Sequence, residues 1–360
     1  MRAVTVVPGR AESLTLADVP DPQPGPEQAL LETLAVGICG TDRELLAGEH
    51  GAPVPGAAVL IPGHECLAQV VSAPVGSGLQ PGELVAPTVR RPCGDPRCYP
   101  CAHDHPDMCT TLKYTERGIQ GADGYQCERF VESPRYLVPV PATLRRSGVL
   151  VEPTSVVAKA VEESVRIQRG RLIWDPRRAL VTGAGPVGLL AAMLLRLRRV
   201  EVTVYDRLPP DSGKARAATA LGARYLAASQ TPLDRLAADG GYDWILECTG
   251  APSVVFGVMP ALAPCGVMCL LGVSGGGAHL DIAAADLNLG MVIRNNLVFG
   301  SVNASREAFT QAVQALAAAE STWPGWADGL ITRRVPPADM RAALQNGPED
   351  VKVVVAWHEG

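Results

Sequence analysis

Four cysteines, Cys93, Cys98, Cys101 and Cys109, fall within 17 residues in the stretch RRPCGDPRCYPCAHDHPDMCT. The spacing is C-x4-C-x2-C-x7-C. Thiolates this close in sequence can surround one tetrahedral zinc ion, because the turns between them bring the sulfurs to one point. His103 and His105 lie in the same stretch. Four sulfurs already fill the shell, so both read as solvated loop histidines. A shell of four protein ligands has no open position, and the lobe is expected to clamp the fold rather than to bind substrate. The bland alternative is a loop of free thiols, which would be an oxidation liability.

A second set is looser. VGICGTDRE and IPGHECLAQV supply Cys39, His64 and Glu65, and VLVEPTS supplies Glu152. Three protein ligands with an open fourth position is the pattern of a catalytic zinc. Each residue also has an ordinary reading, as a small core thiol, a hydrogen-bonded loop histidine or a solvated acid. Spacing alone does not join them.

A third feature is ALVTGAGPVG, which contains Gly183, Gly185, Pro186, Val187 and Gly188 as a G-x-G-x-x-G. It follows a strand-like run and opens an apolar helix. In that context Gly183 serves the tight turn, Gly185 lets backbone approach a pyrophosphate, and Gly188 lets helix pack on strand. The helix N-terminus then faces the anion. Asp206 ends the next strand-like run, 18 residues after Gly188. An acid there accepts hydrogen bonds from the adenosine ribose and repels a 2′-phosphate, which favours NAD over NADP. Arg207 follows and pulls the other way, since a guanidinium can hold that phosphate.

These residues need a scaffold. The first part of the chain is rich in Pro and Gly with short β-type runs (AVTVV, ALLETLAV, CLAQVVSA, ERFVE), and reads as an irregular β-rich domain. PTSVVAKAVEESVRI is helical in pattern. Strand and helix then alternate through RALVTGAGPVGLLAAMLLRL, VEVTVYD, KARAATALGARYL, YDWILECTG, PSVVFGVMPAL and VMCLLGV. That alternation predicts an α/β fold with a doubly wound parallel sheet. NNLVFGSV adds a strand, REAFTQAVQALAAAE a helix and VKVVVAW a final strand, while AHLDIAAADLNLG fits neither pattern clearly. The 360 residues suit about two domains. Net charge is −5 without a long basic run, which argues against nucleic acid. No apolar run of membrane-spanning length appears, and no secretory signal pattern opens the chain. Ten cysteines in a chain read as cytosolic point to metal ligands rather than disulfides.

Taken together, GICGTDRE, PGHE, the four-cysteine lobe, VEPTSV, GAGPVG and GSVN stand in the order of the zinc-containing medium-chain dehydrogenases. GTDRELLAG, PTVRRPCG, YTERGI, DGYQCE and GSVNA make the chain most similar to the archaeal-type glucose dehydrogenase branch. The resemblance spans essentially the whole chain. It implies a GroES-like catalytic domain over residues 1–153, with the zinc lobe at about 90–112. It implies a Rossmann dinucleotide domain over 154–302, and a segment 303–360 returning to the catalytic domain. Cys39, His64 and Glu65 match the catalytic zinc ligands, and Glu152 a position that ligates zinc or its water. Cys93, Cys98, Cys101 and Cys109 match the structural zinc, giving two zinc ions per chain. Thr41 matches the hydroxyl residue at the reacting oxygen, and Glu116 and Asn303 match positions holding sugar hydroxyls. Ser301, Val302 and Lys352 match cofactor contacts. Three departures stand out. The first cysteine interval is two residues longer than usual, Asp206-Arg207-Leu208 replaces paired arginines, and Val89 replaces a polar sugar contact.

The resemblance thus implies a zinc-dependent hydride transfer between a hydroxyl of a sugar, cyclitol or related polyol and NAD, or NADP. It implies a cytoplasmic homodimer or homotetramer with a small-molecule substrate and no nucleic-acid or membrane partner. Two other readings compete. One is a redox-neutral epimerase or lyase using bound NAD for transient oxidation. The other is a catalytically idle dinucleotide-binding protein, against which intact Cys39, His64 and Glu65 weigh.

Overall fold

A computed structural model describes residues 1–358 apart from 239, 276, 278 and 346. The chain divides into two compact units. The first comprises Met1–Ser155, Asn303–Glu320 and Ala327–Gly360; the second comprises Val156–Val302 and Ser321–Trp326.

In the first unit the principal sheet runs in the order Leu137–Val140, Leu84–Pro87, Glu65–Ser72, Ala29–Ile38, Lys352–Ala356, Ile331–Val335, with Arg129–Glu132 also paired to Ala29–Ile38. Ala29–Ile38 is almost wholly apolar, and its last six residues are buried. It can occupy the middle because such a strand buries both faces. Its end is flanked on both sides: Glu65 lies opposite Gly37 in one antiparallel pairing, and Val353 lies opposite Ile38 in the other. Aliphatic side chains including Leu31, Val36, Leu60, Val353 and Val355 form the core beside Tyr125 and Trp357. A separate small sheet pairs Arg90–Arg91 with Thr115–Arg117, placing Arg90 opposite Glu116.

The second unit holds a parallel sheet ordered Arg224–Ala227, Glu201–Asp206, Arg178–Thr182, Tyr242–Glu247, Leu262–Leu270, Leu297–Gly300. This is the doubly wound arrangement expected from strand and helix alternation. KARAATALGARYL differs in detail from a single helix. The helix is Gly213–Ala220, and the segment's end becomes the edge strand Arg224–Ala227. Gly222, at φ +73, supplies the left-handed turn between them. The ambiguous stretch near residue 284 forms the helix Ala284–Ile293, none of whose residues is buried. Among the described residues no helix is long and apolar enough to cross a membrane.

Candidate active site

Cys39 follows the central strand and stands as N-cap of the helix Gly40–Ala47. Its backbone N–H donates to Asp42 Oδ2 at 2.9 Å, which fixes where its side chain leaves the chain. His64 and Glu65 arrive on the neighbouring strand, by virtue of the Gly37–Glu65 register. A Cβ on residue 37 would overlap Glu65 Oε2, so only glycine leaves room for that carboxylate. Cys39 Sγ lies 3.1 Å from His64 Nε2, and the ligand atoms of Cys39, His64 and Glu65 all lie within 4.8 Å of one another.

The electrostatics are those of a cation site. Burial works against a charged His64, but the Cys39 sulfur and the Asp42 and Glu152 carboxylates outweigh it and hold the imidazole well above its usual range. Burial pushes Glu152 up to about 7, helped by Glu65 and Glu116 and opposed by His64 and Lys352. Burial likewise raises Asp42, against the pull of His64. His64 Nδ1 and Asp42 Oδ1 are buried without hydrogen-bond partners. Sulfur from half-buried Cys39 and imidazole and carboxylate from buried His64 and Glu65, all at one point, fit a zinc ion.

Glu152 occupies the first turn of the helix Val151–Arg169. It is buried, yet it is not among the three whose ligand atoms share one point. It stands instead as their electrostatic neighbour and that of Glu116. Thr41 is half-buried, two residues beyond Cys39 in the same helix. Glu116 and Asn303 meet directly: Asn303 Nδ2 donates to Glu116 Oε1 at 2.9 Å. Asn303 adopts the left-handed φ of +59, a conformation asparagine tolerates better than most residues. Arg90 Nε donates to the same Oε1 at 3.1 Å and Arg90 NH1 to the Asp107 carbonyl at 3.0 Å.

Lys352, matched by the resemblance to a cofactor contact, makes its bonds within the first unit. It is 2% exposed, and its ammonium donates to the Ile38 carbonyl at 3.1 Å and to the Glu65 carboxylate. Asp42 and Arg90 were not singled out by sequence. Asp42 carries a usable signal, since an acid three residues after an N-cap is the capping pattern. Arg90 gains its meaning only from the cross-strand register with Glu116.

In the lobe, the sulfurs of Cys93, Cys98, Cys101 and Cys109 lie within 4.8 Å of one another. The stretched first interval is a turn: Gly94 takes φ +74, Asp95 Oδ1 accepts from Arg97 N at 2.9 Å, and Cys98 N donates to Asp95 O at 3.0 Å. The Thr110 hydroxyl beside Cys98 lowers its thiol to about 5, whereas burial pushes Cys101 up to about 12. Four convergent thiols fit a second zinc. His103 Nδ1 instead lies 2.8 Å from the Tyr99 carbonyl.

In the second unit Gly183 takes φ +86, and a Cβ on residue 188 would overlap its carbonyl oxygen. Gly185 caps the helix Pro186–Leu197, with open space where its Cβ would point. Pro186 and Val187 are half-buried in the first turn. A close turn, an open face and a helix N-terminus together form a cradle that fits a pyrophosphate. Asp206 accepts from Ala184 N at 2.7 Å and from Leu208 N at 2.9 Å; Arg207 is exposed. Ser301 Oγ donates to Glu163 at 2.9 Å. The Val302 carbonyl accepts from Lys159 Nζ at 3.0 Å, while its side chain is exposed.

The family described as glucose dehydrogenase C-terminus matches residues 145–357, and the alcohol dehydrogenase GroES-like domain matches residues 25–142. The chain is 40% identical over 357 residues to glucose 1-dehydrogenase of Methanocella arvoryzae, with 99% of each chain covered. It is 44% identical over 358 residues to that of Thermoproteus tenax, again covering 99% of each. Among solved structures, Haloferax mediterranei glucose dehydrogenase in complex with NADP, Zn and gluconolactone superposes with a TM-score of 0.90 at 33% identity, over 100% of both chains. A putative zinc-binding dehydrogenase from Sinorhizobium meliloti 1021 bound to NADP gives a TM-score of 0.82 at 25% identity, covering 99% and 98%.

Proposed function

Since the chain belongs to the zinc-containing medium-chain dehydrogenases, in their archaeal-type glucose dehydrogenase branch, we propose that it oxidises the anomeric hydroxyl of an aldose to the lactone. A hydride passes to a nicotinamide dinucleotide and a proton is released. The observation that carries this reading lies in the first unit. The Cys39–His64–Glu65 cluster shares an electrostatic neighbour, Glu152, with the hydrogen-bonded Glu116–Asn303 pair. One set suits zinc and the other suits vicinal hydroxyls. The gluconolactone in the Haloferax structure is the product such a reaction would give.

Zinc held by Cys39, His64 and Glu65 would supply the positive charge that makes a hydroxyl easier to deprotonate. The nicotinamide supplies the hydride acceptor. The chain's own residues do the rest. Arg90 and Asn303 both donate to Glu116 Oε1, which fixes the carboxylate and leaves Oε2 to accept from sugar hydroxyls. The Thr41 hydroxyl passes the proton onward. Glu152, buried beside the Cys39–His64–Glu65 cluster, is placed to take or release a proton. Lys352 steadies Glu65. The four-cysteine lobe carries the second zinc.

NAD is the favoured cofactor. Asp206, tied to the glycine turn by the Ala184 N–H and to its own loop by the Leu208 N–H, sets a negative charge against a 2′-phosphate. Arg207 is the residue through which NADP, found in the Haloferax and Sinorhizobium structures, would be accommodated. The protein works as a homo-oligomer. The helix Ala284–Ile293 exposes Leu289, Val292 and Ile293 at 61%, 64% and 71%, a surface that favours burial against another subunit. Ten free cysteines suit a reducing, cytoplasmic setting.

The test is a panel of aldoses, cyclitols, polyols and aminosugars with NAD and NADP, followed by absorbance of the reduced cofactor. Steady accumulation with an aldose is expected. Epimerised or dehydrated product without net cofactor reduction would overturn the reading in favour of a redox-neutral enzyme.

A further inference from the structure

The order in which strands are added to the parallel sheet reverses between two neighbouring strands. From Arg178–Thr182 the order runs outward through Glu201–Asp206 to Arg224–Ala227; from Tyr242–Glu247 it runs the opposite way to Leu297–Gly300. Dinucleotides bind outside the carboxyl ends of the strands at such a switch point. Thr182 and Glu247 are the last residues of these two strands. Across the switch point Thr182 Oγ1 donates to Glu247 Oε1 at 3.1 Å.

Glu247 is 0% exposed. Besides Thr182 it accepts from Thr249 N at 2.8 Å, from Gly250 N at 3.1 Å and from the Thr249 hydroxyl. All four donors are neutral, and no lysine, arginine or histidine is paired with it among the described residues. A buried carboxylate without a counter-cation is costly to maintain even when fully hydrogen-bonded. Fixing two turns would not by itself require a charge there. The turn it holds also touches the phosphate cradle, since a Cβ on Gly183 would meet Thr249 Cγ2 at 3.0 Å.

The missing counter-charge has a natural source in the ligand. Oxidised and reduced nicotinamide dinucleotides share the same adenosine and pyrophosphate and differ by the positive charge on the oxidised ring. Any penalty that Glu247 imposes on the pyrophosphate is common to both forms and cancels in their ratio. The attraction to the cationic ring does not cancel. We propose that Glu247 fixes a negative charge at the switch point that makes the second unit bind the oxidised cofactor in preference to the reduced one, while its four hydrogen bonds position the glycine turn and the 248–250 turn. This rests on the reading that the second unit binds a nicotinamide dinucleotide. The bias would favour product release in the oxidative direction, because the reduced cofactor leaves a site tuned to its oxidised form.

The experiment is titration of the purified full-length protein with oxidised and reduced NAD and NADP, by calorimetry, in the absence of sugar. A unit charge and a cation on the order of 10 Å apart at an effective dielectric constant of about 20 interact by enough to change relative affinity by a factor on the order of 10, which sets the scale of effect to look for. Glu247→Gln should therefore lower the ratio of reduced-form Kd to oxidised-form Kd by about that factor, whatever happens to the two affinities together. Glu247→Asp keeps the charge and should hold the ratio within about twofold of the parent, even where the shorter side chain loosens the turns and weakens both affinities. An unchanged ratio in Glu247→Gln, or a ratio lost in Glu247→Asp, would overturn the proposal and leave Glu247 a purely structural anchor. The Asp variant supplies this check if the Gln variant does not fold. A parent protein that binds neither form would instead overturn the cofactor reading itself.

Discussion

Lys352 and Glu65 form an ion pair whose side chains are 2% and 3% exposed. Replacing Lys352 with methionine keeps most of the side-chain volume and removes the charge. The Glu65 carboxylate then stays buried opposite Gly37 without its ammonium partner. Breaking a buried pair from one side costs about 3–5 kcal/mol. For a unit of roughly 200 residues, each kcal/mol shifts Tm by about 2–4 °C. Lys352→Met should therefore lower the first unit's transition by about 6–20 °C. Scanning calorimetry on chelator-treated protein reads this directly. Adding Glu65→Gln to the same chain removes the stranded charge and should restore most of the loss, because replacing both partners is far less damaging than removing one. Zinc should also rescue the single variant in part, since a ligand that binds only the folded state raises its stability. A shift under about 2 °C for Lys352→Met, or a double variant no more stable than the single one, would refute the reasoning.

Cys39→Ala should reduce turnover by about 10³-fold or more, as loss of a metal's charge stabilisation removes several kcal/mol from the barrier; cofactor affinity measured by titration should stay near that of the parent. Cys98→Ala should reduce zinc, measured by elemental analysis, from two ions per chain to one and lower Tm. An unchanged melting temperature would mean that the lobe carries no metal. Asp206→Ala should relax discrimination against NADP in steady-state kinetics, and an unaltered NAD to NADP ratio of kcat/KM would remove Asp206 from the ribose.

What could be read from sequence follows the range of the interactions involved. The doubly wound sheet was legible because each strand and helix is a local pattern repeated in order. The cysteine lobe was conspicuous for the same reason, with every sulfur inside 17 residues. The helix Ala284–Ile293 gave no clear signal because it is apolar without a polar face, and a pattern with no face has no period to detect. The edge strand Arg224–Ala227 was hidden because it follows the Gly213–Ala220 helix after only a short glycine turn. Cys39, His64 and Glu65 are brought together by strand register, so sequence spacing alone could not join them and family resemblance had to. The role of Lys352 was least accessible: its contact with Glu65 spans 287 residues, and a lone lysine in VKVVVAW carries no local mark of burial.

That separation bears on how the protein is made. The strand Lys352–Ala356 lies inside the first unit's sheet, beside Ala29–Ile38, yet the ribosome synthesises it after the whole parallel sheet. At about 5–20 residues per second, the 287 residues between Glu65 and Lys352 take about 15–60 s to translate. Throughout that interval the nascent chain carries Glu65 without its ammonium partner and the Ala35–Ile38 end of the central strand with one edge open. An open edge on an apolar strand is an invitation to aggregate. The parallel sheet, whose strands all lie between Arg178 and Gly300, can close while it waits. The first unit can complete its sheet only after Lys352–Ala356 has emerged.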